Sequence, residues 1–204
     1  MAQPKQRSGG YAKGRAKRQE IIEAATVVFG ELGYPKTSMI EIAERCSLSR
    51  AGLAHHFPTK ESVLSAVLAW RDTVDTQRFR RADAPDPDGP TILRALVEMA
   101  AENTKVPGLV GMYSCLAAEA ASPSHPAHDY FVRRYDMVEQ GIRDALEDVR
   151  RSGGLRPEVE PAQAAISIVA LMDGLQVYWL LRGRPVDMAA HLRSAISSML
   201  TVEL

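Results

Sequence analysis

Residues 37–61 read TSMIEIAERCSLSRAGLAHHFPTKE, two short helical patterns separated by a tight turn and followed by an aromatic hinge and the start of a third helix. Ser38 and Glu41 stand at the head of the first pattern with the spacing of a capping box. Ile42, Ala43 and Cys46 then fall on one helical face. Ala43 is small, which suits a point where two steeply crossing helices bring their backbones together. Ser47-Leu48-Ser49 breaks the period, and Ser49 is placed to cap a second helix with Leu53, His56 and Phe57 on its inward face. Pro58 stops that helix. Two helices in this order make a helix-turn-helix, whose second helix lies in a DNA major groove.

Upstream, residues 1–14 are polar and contain glycine, which predicts a flexible basic arm. From Arg15 to Leu32 the residues Ile21, Ile22, Ala25, Val28, Phe29 and Leu32 form a helical stripe, with Gly33 as its C-terminal cap. Downstream, Thr59 is placed to cap a long fourth helix running to Arg81. The stretch ADAPDPDGP, residues 82–90, ends it. Five further helical patterns begin near Thr91, Gly108, Ala127, Ala164 and Met188, the last running to the final residue. The expected fold is all-α, with about nine helices: the arm 1–14, a DNA-binding unit 15–60 and a helical body 61–204.

Two segments, RAKRQEIIEAATVVFGELGY (residues 15–34) and LSRAGLAHHFPTKE (residues 48–61), carry a resemblance to the TetR family of bacterial one-component transcription regulators. It covers residues 15 to about 65 with a specific motif and the remainder by length and helical pattern. Two departures stand out. Ala54 occupies the place of a phosphate-touching tyrosine, and Ser47 the place of the turn glycine.

The chain has 204 residues, with 25 basic and 25 acidic. Residues 1–60 hold ten Lys/Arg against five Asp/Glu, and the remainder fifteen against twenty. A basic front suits a polyanion, and an acidic rear argues against nucleic acid coating the whole surface. Cys46 and Cys115 lie within helical patterns and read as small buried residues of a reducing compartment. The N-terminus lacks the apolar core of a secretory signal. The most apolar run, residues 164–181, contains Asp173, which near the middle of a bilayer costs about 2.5–3.5 kcal/mol, so a buried soluble helix and a cytoplasmic protein are expected, with no membrane partner.

On the second helix of the motif, Arg50, Ala51, Gly52 and His55 form the outer side. Arg50 suits a bidentate contact to guanine and, nearly equally, a phosphate contact. Ala51 and Gly52 let the helix approach the groove floor. The resemblance implies phosphate contacts for Thr37, His55 and Lys60, and a DNA-binding set completed by the capping residues Ser38 and Ser49. Lys13, Arg15, Lys17 and Arg18 are candidates to follow the adjacent backbone or minor groove. His55 and His56 are adjacent, point about 100° apart and have no further ligands nearby, so no metal site is expected.

In the rear, Met99, Met112, Tyr113, Phe131, Tyr135, Met172 and Trp179 suit either the lining of an effector cavity or an ordinary core. Glu119, His128 and Asp173 are polar groups able to orient a ligand, and Asp173-Gly174 resembles a recurrent element of the family's eighth helix, which implies a bend or a subunit contact at least equally. The helix holding Ile166, Ala170, Val177 and Leu181 is apolar nearly all round and needs partners on several sides. With Leu192, Ile196 and Met199 of the last helix it suggests a four-helix bundle between two copies.

The function expected is a DNA-binding transcription regulator, a homodimeric repressor released from a palindromic operator by a small apolar or amphipathic effector. The alternative is a degenerate regulator that docks protein through its front domain. No acid–base pair, nucleophile elbow or phosphate loop recommends an enzyme, and no cofactor is implied.

Overall fold

The computed structural model describes residues 8–79, 87–183 and 186–204. Residues 1–7 of the expected arm, residues 80–86 in and before the Pro-rich stretch, and Arg184 and Pro185 lie outside them. Among the described residues the chain forms α1 Ser8–Lys36, α2 Met39–Arg45, α3 Arg50–His56, α4 Lys60–Phe79, α5 Gly89–Asn103, α6 Pro107–Glu119, α7 His128–Arg151, α8 Pro161–Leu181 and α9 Met188–Met199. The fold is all-α, and the β pairing described is a single antiparallel bridge, Leu155 to Leu200.

The helix ends follow local chemistry. The hydroxyls of Thr59 and Ser62 each accept the other's backbone N–H at 3.2 Å, a reciprocal cap for α4. Asp88 accepts the N–H of Thr91 at 2.9 Å and opens α5 with Pro90 in its first turn. Pro107 and Pro161 likewise stand in the first turns of α6 and α8, where a missing N–H costs nothing.

Two boundaries differ from the sequence reading. Residues 8–14 continue α1 rather than forming an arm; Gly9 and Gly10 suggested a break, but Ala12, Lys13 and Arg15 are compatible with helix. The last helix stops at Met199, because Leu200 turns extended and is buried beside Leu155, and Thr201 donates its N–H to Gly154 at 2.8 Å.

At Gly33 (φ 72°, ψ 171°) α1 breaks, and Tyr34–Lys36 form a separate turn. Only glycine enters this conformation without strain, and a Cβ there would also collide with the Glu119 carboxylate. Gly30 allows a close approach, since a Cβ would stand 3.0 Å from the Met112 backbone nitrogen. The α1–α6 contact therefore sits backbone to backbone, joining the front helices to the body.

Two apolar clusters result. One gathers Phe29, Ile42, Leu53, Phe57 and Val63 with Met112 and Leu116 of α6 and Phe131 of α7, so the front core extends beyond residue 60. The other joins α5, α7, α8 and α9 through Leu93, Ile142, Leu146, Trp179, Leu192 and Ile196. Each such side chain contributes about 1.5–3 kcal/mol by burial. Met112, Phe131 and Trp179 lie within these cores and do not border the rear cavity described below. Leu192 and Ile196 are buried within the protomer rather than presented to a second copy. An apolar stripe has the same spacing whether its partner is α5 of the same chain or a helix of another.

Candidate nucleic-acid interface and effector cavity

Ser38 caps α2, its hydroxyl accepting the Glu41 N–H at 3.2 Å. At the other end Leu48 N–H bonds to Ala43 O at 2.9 Å and Ser47 N–H to Glu44 O at 3.1 Å, the paired bonds of a Schellman turn. Ser47 occupies its left-handed position with φ 53°, the one positive φ outside glycine among the described residues. Ser49 then caps α3, accepting the Gly52 N–H at 3.0 Å. Leu53 and Phe57 anchor α3 in the core, while Arg50, Ala51, Ala54 and His55 are exposed and Gly52 half-exposed. The outer side of α3 is thus open to a groove, as its spacing suggested.

Several cations expected on DNA have other tasks. Lys17 donates to Cys46 O at 2.8 Å, and Arg18 to His56 O at 2.6 Å with its guanidinium 3.8 Å from the Phe57 ring centroid. These carbonyls end α2 and α3, where positive charge is favoured. The side chain of Thr37 is buried, donating to Gly33 O at 2.7 Å, which takes it out of the expected phosphate contacts. Lys60 directs its ammonium inward, to Tyr34 O and Thr37 O at 2.9 Å each and over the Tyr34 ring at 4.2 Å. Those bonds offset an unfavourable cation in the first turn of α4, so its presence there has a structural reason.

Tyr34 is held on every polar atom. Its N–H donates to Glu119 Oε2 at 2.8 Å and its hydroxyl to Glu61 Oε1 at 2.7 Å, while its carbonyl receives Lys60. Burial, with the bond to Glu61, pushes its phenol well above the usual range. Glu119, a candidate ligand group by sequence, instead ties α6 to the α1–α2 corner. His128 closes the α6–α7 loop through Nδ1 and Ala120 O at 2.8 Å.

The rear half contains a cavity among α4–α8 lined by Arg71, Met99, Asn103, Tyr113, Arg134, Tyr135, Val138, Val169, Met172, Asp173 and Gln176. The cavity volume is ≈ 40 Å³, room for a few waters. Met99, Tyr113, Tyr135, Met172 and Asp173 were legible as candidates. Arg71, Asn103, Arg134 and Gln176 were missed, although Arg71 and Gln176 each continue an apolar helical stripe (Leu64, Val67, Leu68; Ala165, Ile168, Met172), where a polar residue is conspicuous. Tyr135 donates its hydroxyl to Asp173. Both residues also line an apolar groove of ≈ 470 Å³ between α6 and α8.

Along α8, Ile166, Ala170, Gly174, Val177, Tyr178 and Leu181 are exposed on one side, with Ile166 at 55% and Leu181 at 79%. By length and composition alone this helix could cross a membrane. Met199 of α9 is half-buried. Cys46 and Cys115 are free thiols, both pushed up mainly by burial, and no metal-binding cluster occurs among the described residues.

A capped two-helix reader with an exposed second helix, mounted on a larger helical body, defines a helix-turn-helix regulator. Residues 21–67 match the bacterial regulatory proteins of the tetR family, and residues 111–201 the C-terminal part of BetI-type transcriptional repressors. The HTH-type transcriptional regulator BetI of Burkholderia ambifaria strain MC40-6 is 30% identical over 185 residues, covering 88% of this chain and 90% of that protein. BetI of Paraburkholderia xenovorans strain LB400 is 29% identical over 187 residues, covering 88% and 89%. A TetR transcriptional regulator from Chloroflexus aurantiacus J-10-FL has the same fold, with a TM-score of 0.77 at 22% identity over 93% of this chain and 98% of that one. A SmeT–triclosan complex superposes with a TM-score of 0.73 at 20% identity, covering 91% and 92%. The chain belongs to the TetR family. It is a DNA-binding transcription regulator.

Proposed function

We propose that this regulator is a homodimeric repressor that leaves a palindromic operator when a small apolar or amphipathic effector enters the rear cavity. Residues 15–60 serve as the DNA-binding unit and residues 61–204 as the effector-binding and dimerisation body, in the cytoplasm. Arg50 reads a base edge, Ala51 and Gly52 admit α3 to the groove floor, and Ser38, Ser49 and His55 approach phosphates. The exposed stripe of α8, with Met199, packs on a second copy, and two-fold symmetry sets the two α3 helices on successive turns of one face of the duplex. The match to BetI-type repressors and a solved relative in complex with triclosan support the reading.

One observation carries the mechanism. α4 holds the corner of the DNA-binding unit through Lys60 at its first residue, and eleven residues later presents Arg71 to the cavity, about 16 Å along the same rod. The cavity has room for a few waters, so a larger guest must displace its walls, α4 among them. An effector releases DNA only to the extent that it binds the displaced arrangement more tightly than the DNA-competent one.

Selection of random duplexes by the full-length protein tests this, followed by the mass of the complex and a compound panel. A palindromic duplex carrying two chains, and weakened by at least one compound, is expected. A single chain on the selected duplex, or an affinity that no compound alters, overturns the reading.

A further inference from the structure

Five polar or charged residues are buried among those described: Thr26, Thr37, Arg71, Asn103 and Gln176. The threonine hydroxyls donate to helix carbonyls at 2.8 and 2.7 Å. The other three, from α4, α5 and α8, all line the rear cavity, each no more than 7% exposed. A guanidinium and two amides that converge on one small space suit a polar occupant better than an apolar one.

The charge of that occupant follows from where Arg71 lies. Its guanidinium stands 3.5 Å from the Tyr113 ring centroid. That face of Tyr113 is therefore already covered, and a cationic ligand would meet a fixed positive charge in a low-dielectric site. The guanidinium offers only donors, and both amides have N–H groups to add. Asp173 shares this lining: burial pushes its carboxyl above the usual range, while the Tyr135 hydroxyl it accepts and the charge of Arg71 act the other way.

The Tyr135–Asp173 pair also marks a route. Both residues line the polar cavity on one side and the apolar ≈ 470 Å³ groove on the other. The inner space suits a head group, and the groove suits a hydrocarbon tail along Ala117 and Ala118 of α6; its outer rim, Val177 and Leu181, belongs to the proposed subunit face, so a second copy would close the groove over the tail.

We propose that the effector is an amphipathic carboxylate, its head held by Arg71 with Asn103 and Gln176 and its tail passing Tyr135–Asp173 into the α6–α8 groove. This rests on the ligand-responsive reading and adds the ligand's charge and orientation. Parting Tyr135 from Asp173 and drawing on Arg71 would displace α7, α8 and α4 together.

The test uses the full-length protein with octanoate, octyltrimethylammonium and octan-1-ol, each followed by thermal unfolding and by release of the selected duplex. Octanoate is expected to raise the unfolding midpoint saturably and to release DNA. Arg71→Met should weaken octanoate at least tenfold while leaving octanol unchanged. Gln176→Leu provides the same comparison, with a smaller loss, should the arginine variant fold poorly. Stabilisation by the ammonium compound in place of octanoate overturns the carboxylate assignment while the ligand-responsive reading stands. Octanoate binding that is indifferent to both substitutions, or no octanoate binding while neutral compounds release DNA, also overturns it. Failure of every compound to affect DNA binding removes the ligand-responsive reading itself.

Discussion

The carboxylate of Glu119 accepts the backbone N–H of Tyr34 at 2.8 Å, across 85 residues of sequence, just beyond the kink at Gly33. Tyr34 also receives Lys60 on its carbonyl and bonds Glu61 through its hydroxyl. One residue therefore joins α1, α4 and α6, and the latter two both reach the rear cavity, through Arg71 and Tyr113. Glu119→Ala should cost about 1.5–3 kcal/mol, the range for a hydrogen bond to a charged group, while Glu119→Gln, which keeps an acceptor, should cost less. Urea unfolding of the three proteins measures it, and equal stabilities would show that the bond contributes nothing.

The same corner is sensitive to acid. The His125 ring packs edge-on to Tyr34 at 5.0 Å, and its Nδ1 accepts the Ala127 N–H at 3.1 Å. The neutral ring thus carries its proton on Nε2, 3.7 Å from Glu119 Oε2. Burial lowers the imidazole's pKa and outweighs the neighbouring carboxylate, with Lys60 acting in the same direction as burial. As pH falls through about 6.5, the unfolded chain takes up this proton before the folded one, so stability present above that pH declines below it. Wild type should therefore lose more stability than His125→Gln when urea midpoints at pH 7.5 and 5.5 are compared.

Arg50 and Lys60 should separate cleanly. Arg50→Ala is expected to cost about 1–3 kcal/mol on the selected duplex and to flatten discrimination at one base position. Lys60→Ala should lower stability by about 1–3 kcal/mol, since Tyr34 O and Thr37 O lose their charged donor, and weaken DNA binding on all sequences. The slope of affinity against salt should hardly change with Lys60→Ala, whereas removing a lysine that neutralises a phosphate would reduce it by about 0.9. Filter-binding titrations across salt concentrations decide between these tasks for the lysine.

Ser47 is a local rule broken in plain view. The Schellman turn between α2 and α3 needs a left-handed residue, and this chain places a serine there at φ 53°. A side chain in that region costs about 1–2 kcal/mol, which glycine avoids at some expense in unfolded-state entropy. Ser47→Gly should raise stability by a few tenths to about 1 kcal/mol without altering base preference. A lower melting temperature would mean that the serine makes a compensating contact.

The local grammar of the chain was legible because caps, stripes and turns act within a few residues. Ser38, Ser49, Thr59 and Gly33 perform the expected terminal tasks. Long-range assignments were not. Lys17, Arg18 and Lys60 are exposed-looking cations in sequence, yet each bonds to a carbonyl more than 20 residues away. Met112 and Trp179 resemble cavity lining only until Gly30 and the α5–α9 packing fill the space around them. Periodicity shows which face is buried, not what buries it.

That distinction yields a final contrast on the proposed subunit face. Leu181 is 79% exposed at the end of the α8 stripe, whereas Leu192 of α9 is fully buried against the rear core. Leu181→Glu removes apolar surface from the proposed interface and leaves the protomer's interior untouched. It should therefore yield a folded monomer with unchanged helix content and much weaker binding to a palindromic duplex. Leu192→Glu forces a carboxylate among Leu93, Leu96 and Ile196, and should cost several kcal/mol and unfold the body outright. Sedimentation velocity with circular dichroism distinguishes the cases. If Leu181→Glu sediments as wild type, α8 does not pair two copies through this stripe, and the two α3 helices need another frame.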